Sequence, residues 1–246
     1  MKRLIFEASG FVFEPPPVVS RARRVLIKPS AAYPVPYPVT TSQSMLSAIV
    51  EGIRQVSDAD ILILAGTPGG EPVFPIYQAL GYDFPRVLML DVRDCLWVEV
   101  DNPLPKPLVV PTFWVPNVIL SCDYLITVAP LKVIEGMGNL SISNLLSVLP
   151  STKYGGGKPW GWEELYELGI DKVVADLYFT LPFDLGIIEA RQKFVTQDNP
   201  IQGEVEECGQ VFVGEPYEVD SEASGLLGLK VDYLDLIKEA RVGLED

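Results

Sequence analysis

Lys28, Lys132, Asp91, Glu189 and Asp220 are the residues whose types and settings can do chemistry in this chain. Each of the first four closes or follows an apolar, strand-like run. Lys132 follows the run 118–128 and opens a stretch, residues 128–150 (VAPLKVIEGMGNLSISNLLSVLP), in which two glycines and Asn139 precede a segment read as helical, 141–149. A lysine beside backbone N–H groups at a helix start makes a plausible anion cradle, one full positive charge added to several partial ones. Partial desolvation of either lysine lowers its pKa toward proton transfer or imine chemistry. Asp91 and Glu189 offer oxygen ligands to Mg²⁺, water completing its octahedron. Asp220 opens a helix after Gly214 and suits either a proton-transfer role or a helix cap.

What is missing narrows the chemistry further. The 246 residues contain no histidine. That removes the Ser-His-Asp triad, the Cys-His dyad, the imidazole base and histidine-ligated metals together. The three cysteines, Cys95, Cys122 and Cys208, are far apart and form no CxxC pair. No disulfide framework, zinc site or iron–sulfur cluster is expected, and the thiols read as core fillers. A net charge of −14 opposes nucleic-acid binding, which needs a basic footprint. No apolar run reaches the length of a membrane span. The basic start is broken by Glu7 and Glu14, so it lacks a signal peptide's apolar core, and a cytoplasmic protein is expected.

The elements that must position these groups alternate between apolar runs and helical periodicity. Residues 2–13, 25–27, 61–65, 86–90, 95–100, 121–128, 185–188 and 211–213 read as strands, with 113–119 less regular. The run Ile61 to Ala65 is continuous, as in a parallel strand buried on both faces. Thr40, Thr41 and Ser42 offer cap hydroxyls to a helix over 43–56, whose apolar positions are Met45, Leu46, Ile49, Val50 and Ile53. Helices are also expected over 73–80, 163–168, 219–227 and 234–240, while 172–180 is compatible with helix or strand. Residues 31–39 are too proline-rich for a helix, and 153–162 (KYGGGKPWGW) form a glycine- and tryptophan-rich excursion. The prediction is a single α/β domain over 1–246 with a mainly parallel, mixed-edge sheet and helices on both faces.

In such sheets ligands sit beyond the carboxyl ends of the strands. Lys28 with Ser30, the 66–70 loop (GTPGG), Asp91, Lys132 and Glu189 all fall there. GTPGG matches neither the Walker pattern nor G-x-G-x-x-G, so it reads as a tight turn or as a phosphate or carboxylate loop.

At these residues the chain resembles the domain of unknown function 362 (DUF362) family. VLIKPS at 25–30 is similar to its V-x-I-K-P-N strand end, and YPVTTS at 37–42 to its turn before the first helix. Residues 61–70, 124–144, 185–190 and 211–229 resemble further motifs in the same order, giving a family-like core over about 25–229. The family's asparagine is replaced by Ser30, its second motif lysine by Ser143, its aspartate by Glu189, and one motif histidine is absent. Lys28, Thr41, Lys132, Asn144 and Asp220 are retained. Some members carry iron–sulfur segments, which this chain lacks. The resemblance implies an α/β fold and no settled activity.

The leading expectation is a small anionic ligand held by Lys28, Thr41, Thr67, Gly69, Gly70, Lys132 and Asn144. Lys132 or Asp220 is the candidate catalyst, and Mg²⁺ on Asp91 and Glu189 the candidate cofactor. Two alternatives stand beside it. One is a protein-interaction or assembly module, homo-oligomeric included, using Tyr154, Trp160 and Trp162 together with the proline-rich segment 31–39. The other is an accessory to an iron–sulfur electron-transfer partner.

Overall fold

A computed structural model describes residues 4–155, 161–197 and 199–245. The elements run β1 (Ile5–Glu7), β2 (Arg24–Pro29), α1 (Gln43–Val56), β3 (Asp60–Ala65), α2 (Phe74–Ala79), β4 (Val87–Asp91), β5 (Trp97–Asp101), β6 (Thr112–Pro116), β7 (Tyr124–Ile134) and β8 (Met137–Asn139). They continue with α3 (Glu163–Glu167), α4 (Ile170–Thr180), β9 (Leu185–Thr196), β10 (Glu204–Gly214), α5 (Pro216–Leu227) and α6 (Asp232–Glu245).

The main sheet has the order β1-β10-β9-β7-β2-β3-β4. Pairings from β9 through β4 are parallel, whereas β10 joins β9, and β1 joins β10, antiparallel. The fold is therefore α/β with a mainly parallel sheet carrying an antiparallel edge. β8 folds back on the end of β7, and β5 with β6 forms a separate two-stranded ribbon.

Alternation along the central strands sorts their side chains onto two helix-covered faces. Val25, Ile27, Ile61, Ile63, Ile126 and Val128 pack against Met45, Leu46, Ile49 and Ile53 of α1 and Ile76 of α2. Leu26, Leu64 and Leu125 face the other way, onto Leu145, Val173 and Leu177. α5 and α6 close the antiparallel end through Val219, Ala223, Leu234 and Ile237 against Ile188, Ala190 and Phe212. Ser42 caps α1, its hydroxyl accepting from the Met45 N–H at 3.0 Å.

Several boundaries differ from the expectation, each for a physical reason. Among the described residues of the run expected at the N-terminus, Ile5–Glu7 is strand, because that is the portion that finds a partner in β10. β7 does not end at Val128; it continues through Lys132 to Ile134, paired with the outer half of β9 and with β8. Lys132 is thus a strand residue. β9 and β10 are likewise far longer than their apolar cores, since cross-strand pairing carries them as a polar ribbon beyond the sheet. The segment after β8 forms a 3₁₀ helix over Ser143–Val148, and Ile170–Thr180 is helical.

Candidate functional site

The ends of β2 and β7 are joined by a buried polar network. Lys28 is completely buried; its Nζ donates to the Asn144 backbone carbonyl at 2.5 Å and to Asn144 Oδ1 at 2.6 Å. Asn144 Nδ2 returns bonds to the Lys28 carbonyl at 3.2 Å, Thr127 Oγ1 at 3.1 Å and the Val128 carbonyl at 3.2 Å. Burial first, and repulsion from Lys132 second, hold the Lys28 pKa well below the ordinary 10.5. The two hydrogens of a neutral amine match the two Asn144 oxygens. Thr41 sits beside this network, almost fully buried, donating to the Val128 carbonyl and accepting from the Ser30 N–H, both at 2.9 Å. Lys28, Thr41 and Asn144 are therefore brought together, as structural members of the sheet edge rather than as open ligand contacts.

Lys132 lies at the rim of this arrangement. Its side chain is half-buried, with Nζ 3.5 Å from Ser30 Oγ and no carboxylate within salt-bridge range among the described residues. Partial desolvation pushes its pKa down to about 8.

The carboxylates expected to serve a metal or a proton are already engaged. Asp91 accepts from the Val73 N–H at 2.8 Å and the Arg93 N–H at 2.9 Å. Glu189 lies at the N-terminus of α1, accepting from the Ser42 N–H at 3.0 Å and the Ser42 hydroxyl at 2.6 Å, with Arg191 as its ion-pair partner. Burial raises its pKa. Four strand spacings, about 19 Å, separate β4 from β9, so Asp91 and Glu189 do not share an ion. No group of three His, Cys, Asp or Glu residues suited to a metal occurs among the described residues.

Asp220 is fully buried and collects four donors. They are the Ser141 N–H at 3.0 Å, the Ser141 hydroxyl at 2.6 Å, the Ile142 N–H at 2.9 Å and the Tyr233 hydroxyl at 2.8 Å. Burial pushes its pKa up to about 6 against those donors. The stretch expected to cradle an external anion thus cradles one from α5.

Thr67, Gly69 and Gly70 lie across the sheet, in the loop after β3. Thr67 Oγ1 donates to the Glu71 carbonyl at 2.7 Å, and the Pro68 carbonyl accepts from the Gly161 N–H at 2.8 Å. Gly70 takes the left-handed φ of +80° that the turn requires. Thr67 and Gly70 border a cleft with Asp91, Arg93, Trp97 and Ser151, with room for about one water molecule.

Some expectations resolve differently. Trp162 is buried, its indole donating to the Leu149 carbonyl at 3.1 Å, and the Tyr154 hydroxyl accepts from the Trp114 N–H at 2.7 Å. Both rings anchor their loop internally; Trp160 lies outside the described residues. The cysteines are free thiols, and partly rather than fully buried. Asp176 lies outside the candidate residues, although a carboxylate between Val174–Ala175 and Leu177 is a visible signal. It is fully buried and accepts from the N–H groups of Leu108, Val109 and Val110 and from Asn102 Nδ2, at 2.7–2.9 Å.

A mainly parallel sheet with an antiparallel edge and helices on both faces defines an α/β protein. The chain belongs to the DUF362 family, described as a domain of unknown function; the family model matches residues 25–224. No curated protein matches. A lactate racemase apoprotein from Thermoanaerobacterium thermosaccharolyticum has a similar fold, with a TM-score of 0.51 and 13% sequence identity. The match covers 89% of this chain and 53% of that one, so the chain spans about half the length of that structure. No helix among the described residues is long and apolar enough to cross a membrane.

Proposed function

We propose that this protein binds a small phosphate- or carboxylate-bearing ligand at the carboxyl edge of β2 and β7, with Lys132 as the direct contact. The observation that carries this reading is the Lys132 ammonium itself: half-buried, beside the Ser30 hydroxyl, and without a carboxylate partner among the described residues. The other anion-seeking groups nearby are supplied from within, the Ser141 and Ile142 amides by Asp220 and the start of α1 by Glu189. Lys28, Thr41 and Asn144 hold the strand ends in register behind the site. The 66–70 loop and residues 31–39 follow β3 and β2 at the same edge.

The test is calorimetric titration with inorganic phosphate and with small mono- and dicarboxylates. A charge-assisted contact contributes about 2 kcal/mol, so Lys132→Ala should weaken binding about thirtyfold while leaving the thermal midpoint near the parent value. Equal affinity in the two proteins would place the ligand elsewhere.

A further inference from the structure

We propose that Lys132 is a nucleophilic lysine that condenses with the carbonyl of a small oxo acid to form an imine. This deepens the ligand reading above and rests on it. Three observations on side-chain placement carry the proposal.

First, Lys132 stands apart from the other described lysines. Lys193 is paired with Glu206 at 2.7 Å, Lys230 with Asp232 at 3.0 Å, and Lys153 lies over the Trp114 ring at 4.1 Å. Lys106, Lys172 and Lys238 are exposed, and Lys28 is sealed in the interior by Asn144. Lys132 alone among the described lysines combines partial burial with freedom from a carboxylate that would hold its proton.

Second, a buried amine stands behind it. Burial and then the Lys132 charge disfavour a proton on Lys28, so the group behind Lys132 is a neutral amine, while burial lowers the pKa of Lys132 itself. With a pKa of about 8, roughly a tenth of the Lys132 side chain is neutral at pH 7, a fraction hundreds of times larger than for an ordinary lysine.

Third, Ser30 Oγ lies 3.5 Å from the amine. A hydroxyl there can exchange a proton with the carbinolamine oxygen as it leaves. The balance needs no oxidant or reductant. The nitrogen lone pair forms the C–N bond and the carbonyl π pair moves to oxygen. Loss of that oxygen as water, with both amine hydrogens, leaves the C=N bond. The oxo acid's carboxylate supplies the negative charge that this seat lacks.

The experiment is reductive trapping. The full chain is incubated with glyoxylate and cyanoborohydride at pH 7, and peptide mapping locates the carboxymethyl group that results. The proposal expects a single dominant adduct on Lys132, slowed by excess oxalate, and absent in Lys132→Arg. Circular dichroism of that variant confirms its fold, so loss of the adduct reports loss of the amine. Adducts spread over Lys106, Lys172 and Lys238 with Lys132 unmodified would overturn the nucleophile. If phosphate still binds the parent in that case, the ligand reading stands without it; if neither occurs, both fall. Ser30→Ala should slow trapping severalfold without moving its site, and an unchanged rate would remove the hydroxyl from the step.

Discussion

At the scale of single residues, the buried polar groups hold the fold, whereas Lys132 is half-buried and has no carboxylate partner among the described residues. Asp220 is one of the buried groups and makes stability depend on pH. Its folded-state pKa of about 6 lies above the ordinary 3.8, so the folded protein holds a proton that the unfolded chain releases between those values. That contribution, about 3 kcal/mol, is fully present below pH 4 and is lost as pH rises through 6. Thermal midpoints of the parent and Asp220→Asn measured from pH 4 to 7 should therefore converge, or cross, toward neutrality; a constant gap would contradict this. Lys28 has the opposite sign. Its pKa is depressed, so the unfolded chain binds the extra proton and stability grows as pH rises toward 10.5. Denaturant titrations of Lys28→Met should lose that rise on the alkaline side. A slope equal to the parent's would mean that Lys28 stays charged in the interior.

The elements show why some groups were legible and others were not. The periodicity of α1 and the apolar run of β3 are local properties, and both match closely what forms. The outer halves of β9 and β10 are largely polar and that of β7 follows Pro130, and only pairing across about sixty residues makes β7 and β9 continuous strands, so no local signal marks their full length. The same long-range logic hides the destination of a carboxylate. Asp220 is among the candidate residues, but nothing near it in the chain says that it meets Ser141 and Ile142. Asp176 on α4 secures the proline-rich turn between β5 and β6 in the same way, taking three consecutive N–H groups. Replacing it with alanine strands those donors in a dry interior and should cost about 3 kcal/mol. A urea midpoint within error of the parent would show that water or a shifted loop takes its place.

For the whole molecule, the alternation of apolar runs and helical patterns was enough to place the parallel sheet, and the ordered motifs were enough to place the family. The antiparallel ribbon and the internal use of the anion-binding amides required the three-dimensional arrangement. A recurring design emerges: Asp91, Glu189, Asp176 and Asp220 each answer backbone N–H groups at a helix start or turn, so the fold satisfies its own anion sites. Lys132 is the exception at the sheet's carboxyl edge. Its position is consistent with where ligands bind in folds of this kind, while the 13% identity to the lactate racemase apoprotein carries the fold alone. The most direct test is a crystal structure of the protein grown with phosphate or a small oxo acid. The account predicts density for the anion within hydrogen-bond distance of Lys132 Nζ and Ser30 Oγ, with Lys28 still bonded to Asn144. A ligand bound away from Lys132, with that amine left in solvent, would contradict it.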